Sequence, residues 1–178
     1  AKEVCNGIDD DCDTSVDAAD VDLAKAVPAC ANQKGVCSGA KAPVELCKGG
    51  TWEACSDATY GAYSKDFAND VVEAVCDDLD NNCDGVTDDE CDKDQDGYCD
   101  KLKQFVGNPA ICKYGGGDCN DGNGAVSPGA QEDCNDVDDD CDLKLDAADP
   151  DLDKVRPKCE NQKGVCLGSK KPVELCKS

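Results

Sequence analysis

Between Cys5 and Asp20 the chain reads CNGIDDDCDTSVDAAD, with acids at Asp9, Asp11, Asp13, Asp17 and Asp20 and with Ser15 among them. Counted from Asp9 these acids hold positions 1, 3, 5, 9 and 12 of a twelve-residue loop, and Ser15 holds position 7. A tight loop turns alternate side chains inward, so carboxylates two residues apart converge on one point. They repel one another unless a cation sits between them. Ca2+ is a hard ion that takes about six to eight oxygens, with a backbone carbonyl at position 7 and a carboxylate at position 12 of such a loop. The first expected site is therefore Asp9, Asp11, Asp13, the Ser15 carbonyl, Asp17 and Asp20.

Three more stretches follow the same schedule. Asp138, Asp140, Asp142, the Lys144 carbonyl, Asp146 and Asp149 copy the first site. All five acids return there, while Thr14, Ser15 and Val16 change to Leu143, Lys144 and Leu145. Ligand positions are kept and the residues between them drift. A second site comprises Asp80, Asn82, Asp84, the Val86 carbonyl and Asp88, with Gly85 at the sharp turn and Cys91 where a closing acid would stand. A third comprises Asp92, Asp94, Asp96, the Tyr98 carbonyl and Asp100; Lys103 stands at its twelfth position, so Asp118 or Asp121 is expected to complete the shell. The loop arithmetic predicts about four to six Ca2+ ions. None of the loops is a complete EF-hand: few residues precede Asp9, and Thr14 and Leu143 replace the usual glycine. The C-x6-C spacing suggests a brace, with Cys5–Cys12, Cys76–Cys83 and Cys134–Cys141 pairing locally. Cys30, Cys37, Cys47 and Cys55 allow three connectivities.

The elements that must position these loops have little apolar material to work with. The 178 residues include 40 acids against 18 bases, no histidine and no methionine, for a formal net charge of −22. Such a composition ordinarily marks a disordered chain. Seventeen cysteines and the regular spacing of the acids argue for a folded one. Each disulfide restricts the unfolded chain by roughly 2–4 kcal/mol, and bound metal adds folding free energy directly. The expected fold is mostly irregular: a small disulfide-rich, calcium-stapled repeat protein with short β-hairpins and one or two short helices. Dense cysteines point to an oxidising compartment, extracellular or at the cell surface. Zinc or iron–sulfur ligation is disfavoured by the lack of His and of any C-x-x-C pair. The acidity opposes nucleic-acid binding, and no apolar run approaches a membrane span. Ala1 is expected to begin a processed or excised form.

An internal repeat organises the chain. Residues 3–48 align with 132–177 at a shift of 129, with 31 identities in 46 positions. This predicts one full unit at 1–129, divided into a calcium loop (1–29), a cysteine-rich β-meander with a short helix (30–75) and tandem calcium loops (76–129). A truncated second copy follows at 130–178. The odd cysteine count predicts that one of Cys159, Cys166 and Cys176 lacks a partner in this chain. Ala18–Val27 and its copy Ala147–Val155 are expected to make short helical turns. GVC, PVELC and TWEAC between Lys34 and Cys55 are expected as strands, with Trp52 as their core. Asp66–Val75 is expected as a helix capped by Ser64, and Leu102–Gly117 as a loop.

CNGIDDDCDTSVD, CDDLDNNCDGVTDDE and CDKDQDGYCD…GGGDCNDGNGAVSPGAQEDCNDVDDDCD resemble the MopE-type metal-binding motif family, and the DxDxDG segments are similar to thrombospondin type 3 repeats. QKGVCSGAKAPVELCKGGTWEAC is similar to the cysteine-rich module that accompanies the motif in bacterial surface proteins. The resemblance implies an outer-surface or extracellular metal-binding protein. Copper ligation through histidine, known for the family's named member, does not carry over to a chain with neither His nor Met. The expected function is a structural module of a surface polymer, filament or adhesin stalk, whose partners are copies of itself. The alternative is a metal-scavenging or calcium-buffering surface protein. No catalytic constellation is present, so no enzymatic activity is expected.

Overall fold

The computed structural model describes residues 2–145, 148–152 and 170–172. Regular structure is sparse, as the composition predicts. Among the described residues the strands are β1 (Cys47–Lys48), β2 (Thr51–Trp52), β3 (Val75–Cys76), β4 (Tyr98–Asp100), β5 (Gln104–Phe105) and β6 (Gly115–Asp118), and α1 (Asp57–Tyr63) is a helix of two turns. Single 3-10 turns lie at Asp17–Ala19, Leu23–Lys25, Gly35–Cys37 and Val44–Leu46. The chain divides into two units, one of residues 1–73 with 78–89, the other of 74–77 with 90–178.

In the first unit β1 and β2 form an antiparallel pair, Cys47 opposite Trp52, around the Gly49-Gly50 turn. Gly50 has φ +79, and a Cβ there would lie 2.8 Å from the backbone of Asn6, so glycine is needed both for the angle and for the approach. The buried cluster is Cys30, Cys37, Ala40, Tyr60 and Cys83, with Val36, Cys55 and Phe67 packed on it. Disulfides Cys30–Cys55 and Cys37–Cys83 run through this cluster, so sulfur does much of the filling that aliphatic side chains do elsewhere. Tyr60 stacks on Phe67 at 5.7 Å, and its hydroxyl accepts a hydrogen bond from the Asn32 N–H at 3.0 Å.

The second unit has a cystine core. Cys76, Cys91, Cys99 and Cys112 are buried together, joined as Cys76–Cys91 and Cys99–Cys112, with Ile111 against them. Two short parallel pairs frame it: β3 with β5, and β4 with β6. Cys119–Cys141 ties the segment after β6 to the last acidic loop.

Several local expectations are corrected. GVC is a 3-10 turn, PVELC is a 3-10 turn running into β1, and only Thr51–Trp52 of TWEAC is strand. Trp52 is half-buried, and the aromatic at the centre of this unit is Tyr60. The helix lies at Asp57–Tyr63, not at 66–75, and Ser64 is its C-cap. Thr59 Oγ1 accepts the Ser56 N–H, which holds the first turn closed. Phe67, Val71, Val72 and Val75, which a helix over 66–75 would place on one face, are not buried together: Val71 is almost fully exposed while Phe67 turns in to Tyr60. Leu102–Gly117, expected as loop, contributes β5 and the start of β6. Of the second copy's short helical segment, Ala147–Val155, residues 147 and 153–155 lie outside the described residues.

The expected local disulfides do not form. Cys5 pairs with Cys47, Cys76 with Cys91, Cys83 with Cys37 and Cys141 with Cys119, while Cys134 is bonded elsewhere. The reason is geometric. The cysteine at the loop's fourth position is held in the left-handed region at φ 65 (Cys12), 62 (Cys83) and 61 (Cys141), and in the two bonded copies it reaches a separate segment rather than its own loop's beginning. Among the described residues the free thiol is Cys12, which is exposed. Cys159, Cys166 and Cys176 lie outside the described residues.

Candidate metal centres

Four loops are built to one plan. The position-1 carboxylate accepts backbone N–H groups from positions 5 and 6: Asp9 from Asp13 and Thr14, Asp80 from Asp84 and Gly85, Asp92 from Asp96 and Gly97, Asp138 from Asp142 and Leu143. The position-5 carboxylate accepts the N–H of position 7, as Asp13 does from Ser15, Asp84 from Val86, Asp96 from Tyr98 and Asp142 from Lys144. At position 3, Asn82, Asp94 and Asp140 each accept from position 5. The backbone is left-handed at positions 4 and 6 of every loop, including Thr14 at φ 80 and Leu143 at φ 73. Gly85 and Gly97 adopt that turn freely, whereas the two bulkier residues are strained by about 1–2 kcal/mol. The missing glycines therefore change the cost of the loop without changing its course.

Three loops share a further feature. Asp20, Asp118 and Asp149 are all buried, and each gives one oxygen to the N–H two residues on: Asp22, Asn120 and Asp151. The other oxygen of each is buried without any hydrogen-bond partner. Oxygens of Asp11, Asp94 and Asp96 are orphaned in the same way. A buried unsatisfied oxygen costs about 1–3 kcal/mol, more when charged. In the first site Glu3, Asp11 and Asp20 bring oxygens within 4.8 Å of one another, and so do Asp9, Asp11 and Asp13. In the third site Asp118, at the end of β6, stands opposite Asp100 and within electrostatic reach of Asp94 and Asp96. Gly124 lets the following turn close on this loop, its absent Cβ lying 3.2 Å from Asp96.

The electrostatics follow. Burial, and then the charges of Asp13 and Asp20, push the Asp11 carboxyl above the usual carboxylate range. Burial with Asp94, Asp96 and Asp121 does the same to Asp118. Burial with Asp100, Asp94 and Asp92 raises Asp121, and burial with Asp142, Asp149 and Asp138 raises Asp140. Asp142 moves the other way, because the Lys144 ammonium bonds to it. In each raised group burial and neighbouring carboxylates outweigh the interactions that favour its charge.

The remaining expected ligands have other contacts. Asp17 Oδ1 accepts the N–H groups of Asn6 and Gly7, and Asp88 accepts that of Asp78, so both tie the loop to the strand of chain before it. Asp100 accepts from Leu102. Asp121 accepts the N–H of Lys93, the second position of its loop. Asp146 lies outside the described residues. The second site differs from the others: its orphaned atom is the amide oxygen of Asn81, and the Lys34 ammonium bonds to the Asp84 carbonyl.

Spacing alone missed three residues. Glu3, Glu73 and Glu132 are fully buried. Glu3 accepts the N–H groups of Asp10 and Asp17, Glu73 those of Asn81, Asn82 and Asp89, and Glu132 that of Asp139. Each clamps the second position of a loop, and Glu3 and Glu73 also clamp its far end. Asp121 takes over the second-position part in the third loop. The signal in the sequence was a glutamate two or three residues ahead of the first cysteine of these three loops.

Cysteine joins carboxylate in other clusters, such as Asp118 with Cys119 and Cys141, but these sulfurs are spent in disulfides and offer no thiolate. What is left is a donor set of carboxylate and carbonyl oxygens, which suits hard cations.

Residues 1–18, 63–89 and 118–147 match a protein-family model described as "Putative metal-binding motif" and named Cu-binding MopE. These segments hold parts of three of the four loops and make up less than half of the chain. No curated protein and no solved structure matches the chain. The copper in the family's name does not fit the donors here: there is no His or Met, and among the described cysteines the one free thiol, Cys12, is exposed.

Proposed function

We propose that this chain is an extracellular structural module, a Ca2+- and disulfide-stabilised repeat of a surface polymer, filament or adhesin stalk, without enzymatic activity. The observation that carries the reading is the trio of buried, partnerless oxygens on Asp20, Asp118 and Asp149, each at the closing point of an acidic loop. Ca2+ is the cation that best suits them. It tolerates irregular shells of carboxylates and carbonyls, whereas Mg2+ demands a near-ideal octahedron and keeps its water. The first, third and fourth loops are the strong sites, and the second is the weakest because it has no closing carboxylate of this kind.

The structural role rests on the balance of stabilising terms. The clusters that pack are small and made largely of cystine, so bridges and ions carry the fold. A chain built that way suits an oxidising, calcium-rich exterior. The internal repeat of 129 residues extends by addition of units, as in other one-dimensional assemblies. Electron microscopy of the native material with and without EDTA tests this. The expected result is regular fibres that fray or dissolve on chelation. Monodisperse particles that load and release Ca2+ without change of shape would establish the calcium-buffering alternative instead.

A further inference from the structure

Cys12 and Cys141 are equivalent residues of the two repeat copies, with the same backbone conformation, yet only one is bonded. Cys141 pairs with Cys119, whose N–H also points at the Cys141 sulfur at 3.1 Å. The segment after Cys119 lies along the same loop: the Ser127 N–H donates to the Asp139 carbonyl at 2.9 Å, and Val126, Ser127 and Asp139 are buried. On the first copy the equivalent carbonyl belongs to Asp10, which is half-buried, and Cys12 stands exposed. The third loop cysteine, Cys83, also bonds to a separate segment, through Cys37. Two of three such cysteines thus receive an outside segment, and the second copy shows which one fits this loop.

We propose that the Asp10–Cys12 face receives a segment equivalent to Asp118–Ser127 of another repeat unit, with Cys12 closing on the cysteine that corresponds to Cys119. This rests on the polymer reading above and gives that polymer its junction. The step is thiol–disulfide exchange. The Cys12 thiolate attacks the incoming cysteine where it is held as a mixed disulfide with a small thiol. The new S–S bond forms, the small thiol leaves with the bonding pair, and it takes up the proton that Cys12 gave up.

The test uses the whole chain and a synthetic peptide of residues 113–130, whose single cysteine (Cys119) is activated as its 2-thiopyridyl disulfide. Release of pyridine-2-thione gives the rate, and mass spectrometry locates the adduct. In calcium the peptide should label Cys12 at least about tenfold faster than a scrambled peptide of the same composition, because docking raises the local concentration of the thiol pair. Cys12→Ser should abolish the reaction. Equal rates for the two peptides, or an adduct elsewhere, would overturn the proposal. Calcium titration of Cys12→Ser separates the two ideas: calcium uptake with equal peptide rates removes the junction and leaves the metal reading intact. In native fibres the Cys12 peptide should map to a Cys119-type peptide, and a free, alkylatable Cys12 there would refute the junction. Non-reducing gels then tell separate molecules, which give a ladder, from one long polypeptide, which gives a single band.

Discussion

Replacing Asp118 with Asn separates a metal ligand from a merely structural carboxylate by the sign of its effect. The side chain is fully buried, one oxygen bonds to the Asn120 N–H at 2.8 Å, and the other has no partner. Without metal, the Asp118 charge is opposed by burial and by Asp94, Asp96 and Asp121. Asparagine keeps the bond to Asn120 and brings an amide that donates to the neighbouring carboxylates. The variant should therefore melt at the same temperature as the parent, or higher, in EDTA. With calcium the order reverses. Removing one member of a buried charge pair costs about 3 kcal/mol or more, roughly a hundredfold in affinity. At a calcium concentration a hundred times the parent's Kd, the site's stabilisation falls from about 2.7 to about 0.4 kcal/mol. For a chain of this size that corresponds to a Tm lower by roughly 5–9 °C. Paired thermal melts in EDTA and in calcium, followed by circular dichroism, read both halves. If Asp118→Asn lowers the Tm equally in EDTA and in calcium, Asp118 is a hydrogen-bonding residue only, and the assignment of the third site is wrong.

Three further outcomes follow from the same geometry. Asp11, Asp118, Asp121 and Asp140 all titrate above the ordinary carboxylate range in the fold, so between that range and their raised values the folded chain holds more protons than the unfolded one. Stability without metal should then fall as pH rises from about 4 towards 7, and saturating calcium should abolish or invert that slope; melts in EDTA across this range check it. Thr14→Gly and Leu143→Gly relieve a left-handed strain of about 1–2 kcal/mol each, so each should raise stability and calcium affinity, measured by denaturant unfolding and calorimetric titration. Glu3→Gln keeps one acceptor for two clamped N–H groups and should cost about 1–3 kcal/mol, with amide exchange accelerating first at Asp10 and Asp17.

The acidic loops were legible in the sequence because their ligand schedule is local. Side chains two apart meet wherever the backbone turns tightly, and the copy at 138–149 showed which positions matter. That Asp118 or Asp121 should stand near the third loop was legible by elimination, once Lys103 was seen to occupy the twelfth position, and both carboxyls do lie within electrostatic reach of Asp94. The disulfides were not. C-x6-C spacing says that two cysteines are near in sequence, but pairing depends on where their Cβ atoms point, and Cys83 is buried against Cys37 and Cys141 meets Cys119 rather than the first cysteine of its own loop. The helix was misplaced for a related reason. Apolar periodicity at 66–75 marked a face of which Phe67 meets the core while Val71 stands exposed, whereas Asp57–Tyr63, with a glycine inside it, is held by Thr59 at its start and Tyr60 against the cystines.

The buried glutamates show how such a chain folds without an oily interior. A fully buried carboxylate is among the least favourable groups to desolvate, and three such glutamates recur here. Glu73 has four backbone N–H groups around it, which oppose the effect of burial on its charge. Those donors belong to loop positions that helix or sheet would otherwise satisfy, so the glutamate replaces secondary structure as the acceptor. The position-1 aspartates do the same inside each loop. Once these acids have satisfied the backbone, the oxygens of Asp11, Asp20, Asp94, Asp96, Asp118 and Asp149 are left over and point at nothing in the protein. Five of the six (Asp20, Asp94, Asp96, Asp118 and Asp149) hold a backbone N–H with their other oxygen, a bond that asparagine would keep without burying an unpaired charge. The division of labour within each of these carboxylates, one oxygen holding the backbone and the other buried without a partner, is therefore the strongest physical argument for a cation at these loops.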